Sequence, residues 1–344
     1  MCISGAFLSC EKEVVLDFDD EEQSLAVYGL FSPNSIFNNP NFEIEVTATQ
    51  SILDNSSSNY IDDAIVTITA VPLIEEIQVS DPDPDPNPDT GQNGDEDPAP
   101  DVENPHEVIS EEAVSILVED SDKIIYRTDN TLAADGFSYT LTVDHPDYPS
   151  IRAQSHVPKI TPFNNLNLSD FKTSREDQLE KYTKYFSQAS FDLDNTLDDE
   201  KQYHLLVYLV YQFPNGNRDY VPITIDEDVL SEQIGTDATI VNVEKSTVFF
   251  GAHFDNNTFQ NDSQNLNFDI EFSLHDDSHP VAINVELRTV SEEYHNYFIE
   301  GFRLSQAGSN PLFVQSSNIF NNIEGGFGVF AGYSVYNEEV PFRK

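Results

Sequence analysis

The sequence predicts a mainly β protein: two consecutive β-sandwich domains, immunoglobulin-like or transthyretin-like, with one or two short helices in the second. Three observations carry that expectation. Apolar residues recur at every second position in many short runs, as where Phe42, Ile44, Val46 and Ala48 alternate with Glu43, Glu45, Thr47 and Thr49. That is the period of a strand with one face buried. Turn pairs such as Asp135-Gly136 and His145-Pro146 separate the runs, as the breaks between short strands require. The 344 residues include 24 Phe and 15 Tyr within a 38% hydrophobic composition, enough apolar material for two domain-sized cores.

Residues 1–22 are expected to be a signal remnant, lipobox and tether. Met1 to Cys10 is apolar or small throughout, and Glu11-Lys12-Glu13 then turns charged. Phe7-Leu8-Ser9-Cys10 has the form of a lipobox, its small residue suited to a signal-peptidase pocket. On this reading Cys10 is the lipid attachment site, and acyl chains contribute roughly 0.8 kcal/mol per buried CH₂ to membrane binding. No Lys or Arg precedes the apolar run, so Met1 is expected to lie inside a longer signal. A buried first strand is the alternative. Cys2 and Cys10 are the only cysteines, which leaves the folded region no disulfide framework and no thiolate metal site.

Residues 23–158 read as the N-terminal sandwich. Further strands are expected at 64–71, 114–118, 123–128 and 137–143; in the last, Phe137, Tyr139, Leu141 and Val143 face one way. An acidic, Pro-rich insertion at about 80–106 interrupts this half, beginning Asp81-Pro82-Asp83-Pro84-Asp85-Pro86. From Glu75 to Asp122 there are 17 acidic residues and no Lys or Arg. Alternating Pro excludes helix and sheet and favours extended, solvated chain. Asp at alternate positions also fits a calcium loop, but such a loop must curl to gather its oxygens, so a disordered insertion between two strands is expected.

A boundary is expected near Val157-Pro158-Lys159-Ile160-Thr161-Pro162, with residues 159–344 forming a C-terminal β-rich domain. Leu179, Tyr182 and Phe186 suit a short helix over 174–188. Strands are expected at 203–211, 246–250, 266–274 and 281–290. Ser291 reads as the N-cap of a second helix running to about 304, with Tyr294, Tyr297, Phe298 and Phe302 on one face. Gly325, Gly326 and Gly328 predict a bulged turn feeding a final strand.

The charge balance narrows the function classes. Lys and Arg number 16 against 62 Asp and Glu, a formal net charge of −46. Such a chain repels a phosphate backbone, so nucleic acid is not an expected partner. An anionic lipid surface repels it too, so membrane attachment calls for an anchor. No apolar stretch reaches the ~18 residues of a membrane-spanning helix. There is no Gly-x-Ser-x-Gly elbow, phosphate-cradling glycine loop or His-Glu-x-x-His helix, so no enzyme, cofactor or catalytic residue is expected. His275 and His279 flank Asp276 and Asp277 and could in principle ligate a metal, but a solvated hairpin turn is the expectation. Tyr203, Tyr208 and Tyr211 offer faces for sugar stacking, yet at strand spacing they read as core and rim.

Several segments, in this order and spacing, resemble a known family. They are Leu25-Ala26-Val27-Tyr28-Gly29-Leu30-Phe31, Phe137-Ser138-Tyr139-Thr140-Leu141-Thr142-Val143, Ser291-Glu292-Glu293-Tyr294, and Asn322-Ile323-Glu324-Gly325-Gly326-Phe327-Gly328-Val329-Phe330. Together with the acidic residues behind Cys10 they look like the Bacteroidota lipoproteins classed as domain of unknown function 4249. The glycine run is the most specific part. The resemblance implies a surface lipoprotein, lipid-anchored in the outer membrane, commonly encoded beside a SusC-like TonB-dependent receptor. It carries no catalytic residues over. The expected role is therefore an accessory subunit of an outer-membrane β-barrel, an importer or an assembly or export machine. A free-standing surface protein that binds glycan or peptide is the alternative, and an enzyme or calcium-regulated adhesin the third reading.

Overall fold

The computed structural model describes residues 23–34, 41–49, 60–73, 109–118, 123–175, 181–194, 200–234, 238–241, 248–257, 259, 263–307 and 320–342. Cys2, Cys10, the lipobox and the stretch about 80–106 lie outside them. The described residues are mainly β, with two helices, both in the second half of the chain.

The first half contributes seven strands: β1 (Leu25–Phe31), β2 (Asn41–Ala48), β3 (Ile65–Pro72), β4 (Ile109–Val118), β5 (Lys123–Leu132), β6 (Phe137–His145) and β7 (Tyr148–His156). Their order in the sheet is β1-β2-β5-β4-β3-β6-β7. Period-two patterning produces it: Phe42, Ile44 and Val46 of β2, Val66 and Ile68 of β3, and Tyr139, Leu141 and Val143 of β6 are all buried on one face. The rings of Phe31, Phe42 and Phe330 centre this core, with Phe31 4.7 Å from Phe42 and 4.6 Å from Phe330. Tyr126 fixes an edge of it, donating its hydroxyl to Ile61 O and accepting from Ala64 N.

The second half adds β8 (Phe163–Leu168), β9 (Lys172–Arg175), β10 (Tyr182–Asp194), β11 (Gln202–Gln212), β12 (Arg218–Pro222), β13 (Thr224–Ile225), helix α1 (Glu227–Ile234), β14 (Thr239–Val241), β15 (Gly251–Asp255), β16 (Ser263–His275), β17 (Ala282–Val290), helix α2 (Glu292–Ala307) and β18 (Phe327–Pro341). A five-stranded sheet, β13-β16-β10-β8 with β9 on β10, packs on one face of β11 and β17. Leu266, Phe268, Ile270, Phe272 and Leu274 of β16 supply its inner face, with Phe191 and Leu193 of β10 beside them. Helix α2 packs on β18 at the opposite face, where Val290, Tyr294, Val329, Ala331, Tyr333 and Val335 form a smaller apolar cluster. β11 is thus buried on both faces, and every residue from Tyr203 to Val210 is buried.

β18 belongs to both halves. Its first part, Phe327 to Gly332, pairs in parallel with β1, and its remainder, Tyr333 to Pro341, pairs antiparallel with β17. One 13-stranded sheet therefore runs unbroken from β14 to β7. The parallel join depends on Gly328. Its φ is +117°, and a Cβ there would land on the carbonyl oxygen of Val27 in β1, so only glycine fits. Gly325, at φ +78°, makes the turn just before β18, as the glycine run predicts. Across the first half's open side, Arg152 of β7 exchanges backbone hydrogen bonds with Glu324, and β7 packs on β18.

Two expectations need correction, and one element was not foreseen. The helix predicted over 174–188 is strand where it is described, β9 and the start of β10. Tyr185, Ala189, Phe191 and Leu193 are buried at two-residue spacing, and pairing with β16 through thirteen registered positions outweighs the weaker helical pattern. The strand predicted at 246–250 begins instead at Gly251, whose φ of +102° turns the chain into β15. Helix α1 was not anticipated; Leu230 and Ile234, four apart, bury its inner side.

Candidate functional site

A cleft of about 680 Å³ opens where the curled sheet of the first half meets the ends of β11 and β17. Three stretches of chain converge on it. The end of β7 and the segment after it supply His156, Val157, Pro158 and Lys159. The approach to β11 gives Glu200, Lys201 and Gln202, and the passage from β17 into α2 gives Thr289, Val290, Ser291 and Glu292. Leu73, after β3, and Gly136, in the β5–β6 turn, complete the wall. The two-proline segment 157–162, read from the sequence as a domain boundary, contributes Val157, Pro158 and Lys159 to one side of this opening.

The polar groups of the cleft are held in place. Lys201 donates from its backbone N to Asn256 Oδ1 at 2.8 Å and from Nζ to Thr161 Oγ1 at 3.2 Å. Ser291 caps α2, its Oγ accepting the backbone N–H of Tyr294 at 3.3 Å. Ser155 Oγ donates to Glu293 Oε2 at 2.9 Å and accepts from Gly332 N at 3.3 Å, tying β7, β18 and the first turn of α2 together. Two buried oxygens of the lining residues, Gln202 Oε1 and Thr289 Oγ1, have no hydrogen-bond partner. Buried polar atoms in folded proteins are rarely left so.

A buried polar cluster mounts α2 on the sheet behind the cleft. Arg288 Nε donates to Glu286 Oε1 at 2.6 Å, and Arg288 Nη1 donates to the Tyr294 hydroxyl at 2.8 Å. The guanidinium also lies 4.8 Å from the centre of the Tyr333 ring, a cation–π distance. His204 Nε2 lies 2.7 Å from the carbonyl oxygen of Phe250, which can only accept, so that nitrogen carries the proton. His204 Nδ1 then accepts from the Tyr294 hydroxyl at 3.0 Å. The chain of contacts runs Glu286, Arg288, Tyr294, His204, Phe250 O. Burial, with Arg288 adding to it, holds the His204 pKa well below its ordinary value. Burial opposes the Arg288 charge, but the facing Tyr294 and Glu286 oxygens outweigh it and raise that pKa. Burial pushes the Tyr294 hydroxyl up to about 12.

The residues singled out by sequence fall elsewhere. His275 ends β16, and its Nδ1 accepts from Asp277 N at 3.2 Å in the turn to β17. Among the described residues no group of three or more His, Cys, Asp or Glu is arranged to hold a metal ion. Tyr203 and Tyr208 are buried and Tyr211 half-buried. His204, His253, Glu286 and Arg288 were missed. Their signal was present: polar side chains set inside uninterrupted apolar runs such as Tyr203 to Val210 mark strands buried on both faces, where each such group needs a partner.

No curated protein matches the chain. The family described as domain of unknown function (DUF4249) matches residues 11–339, a span that takes in both cores, the cleft and the glycine run. The chain belongs to that family.

Proposed function

We propose that the protein is a non-catalytic lipoprotein of the outer-membrane surface, anchored through Cys10, that serves as an accessory subunit of a β-barrel complex. The barrel partner is a SusC-like TonB-dependent receptor or an assembly or export machine. The cleft carries this reading: a subunit that hands ligand to a barrel needs a concave site of a few hundred Å³, and this one measures about 680 Å³. Its walls come from segments whose backbone is fixed by sheet and helix cap, which suits holding a ligand without remodelling. The formal charge of −46 keeps the body off an anionic leaflet and leaves attachment to the acyl chains. Among the described residues no helix is long and apolar enough to cross a membrane. Within this reading the two larger cores are two sandwich-type domains, 23–158 and 159–344, that share β18.

Crosslinked pulldown of the acylated protein from its own outer membrane, followed by mass spectrometry, tests the role. Stoichiometric recovery of one large β-barrel is the expected result. Recovery of the lipoprotein alone, with acylation intact, would overturn the accessory role and leave a free-standing surface binder, which the same cleft favours as the second reading.

A further inference from the structure

We infer that the outer turns of α2 form an acid-released lid: in acid they leave the sheet, hinged at the helix's first turn, and uncover His253.

The two ends of α2 are held by different forces. Polar contacts tie its first turn: the Ser291 cap, Ser155 on Glu293, and the Tyr294 hydroxyl, which meets both Arg288 and His204. Beyond Tyr294 the described contacts with the rest of the fold are between rings. Tyr297 lies 6.0 Å from Tyr28 of β1 and 5.8 Å from Phe249, and Phe298 rests on His253 with Phe249 5.4 Å away. Gly301 continues this seat, since a Cβ there would fall 2.4 Å from the Phe249 ring. A glycine inside a helix also weakens the helix. The strand beneath is fixed: β15 is laddered to β11 on one side and β14 on the other. The outer turns are therefore the part free to yield.

His253 supplies the trigger. It is fully buried on β15, and neither of its ring nitrogens has a partner. The groups around it offer no counter-charge. His204 of β11, His295 of α2 and Arg288 of β17 all oppose a proton on its ring, adding to burial. Glu286 of β17 is bonded to Arg288, and Tyr294 of α2 lies between Arg288 and His204. Tyr333 of β18 stacks on Arg288. Asp255 of β15 and Glu292 of α2 act on His295 instead. A proton on His253 thus needs water, and water reaches it when Phe298 lifts away. The freed stretch, Tyr297 to Ala307, is shorter than the ~12–15 residues an isolated helix needs, so it unravels once off the sheet. What it uncovers is aromatic: Tyr28, Phe249 and the His253 ring.

Hydrogen exchange of the purified full chain, read by mass spectrometry from pH 7 to pH 5 and corrected for intrinsic rates, tests the lid. An imidazole that titrates near pH 6.5 only when uncovered raises the open population about twentyfold over that range. Amides from Ile299 to Leu304 are expected to lose protection by that factor, while those of the β10–β16 ladder keep theirs. His253→Phe should make the helix amides indifferent to pH. His295→Gln, a change on the same helix, should leave the loss in place. Equal loss in β10 and β16 would mean global unfolding and overturn the lid, a result the wild-type chain gives by itself. Unchanged helix protection at pH 5 would overturn it as well, and so would a loss that survives His253→Phe or disappears with His295→Gln.

Discussion

The imidazoles of His204 and His253 stack across β11 and β15 with ring centroids 3.8 Å apart. His253 also stacks on Phe298 of α2 at 3.7 Å, and Phe298 lies 4.6 Å from His204, so the three rings form one buried cluster. Neither ring nitrogen of His253 has a hydrogen-bond partner. Burial first, and the neighbouring His204 second, hold its pKa well below the ordinary value.

Acid sensitivity follows from this pair. Unfolded histidine takes up a proton near pH 6.5, whereas the buried rings do so only at lower pH. Below pH 6.5 the unfolded state binds more protons than the folded one, so stability falls as pH falls, by at most roughly 1.4 kcal/mol per pH unit for each histidine. Above pH 6.5 the two rings contribute no pH dependence. Urea denaturation between pH 5 and 8 is expected to show this one-sided loss. His253→Phe, which keeps the ring stack and removes the unpaired nitrogens, should flatten it and raise the midpoint at pH 7. A midpoint lowered by that change would show that the imidazole is needed.

Arg288 neutralises a buried carboxylate. Glu286 is fully buried, and Arg288→Met would leave its charge uncompensated at a cost of about 3–5 kcal/mol. Pairing that change with Glu286→Leu should recover most of the loss, because replacing a whole buried ion pair by apolar residues is often neutral. Chemical denaturation of both variants decides it; a double variant no better than Arg288→Met would mean the pair itself is required.

Gly328→Ala would strike the join between β1 and β18. The left-handed φ of +117° and the collision with Val27 O act together, with backbone strain alone worth about 1–3 kcal/mol. A fall in thermal midpoint well beyond that of a Gly136→Ala control is expected. Gly136, also at positive φ, has open space where its Cβ would go, so it isolates the strain from the collision.

Cys10→Ser is expected to move the protein from the membrane fraction to the soluble fraction and to abolish labelling by radioactive palmitate. Cys2→Ser should change neither. Retained labelling in the Cys10 variant would place the acyl chains elsewhere.

The strands with one wet face were legible because alternation is directly visible, as in Leu266 to Leu274. β10 was misread because its first residues, Tyr182 to Gln188, mix polar and aromatic side chains that fit a helical face as well as a strand. Only the registered partner β16 decides between them, and a partner distant in sequence leaves no local trace. Ser291 announced α2 because an N-cap acts through bonds within its own turn. The cleft was illegible for the same reason as β10: Lys159, Lys201 and Thr289 meet only after two sheets have been assembled. The glycine run was readable as a turn, but not as the seat of a parallel strand.

Asn34, just past β1, both donates to and accepts from the backbone of Val335, 301 positions away in sequence. Of the described strands β1 is synthesised first and β18 last. The core around Phe31 therefore stays open on one side until β18 arrives, however soon its other strands have formed. A chain cut short before Phe327 would present two unpaired edges, on β1 and on β17, each a template for foreign strands. β18 is thus the clasp of the architecture, and a molecule without it is sticky rather than merely shorter.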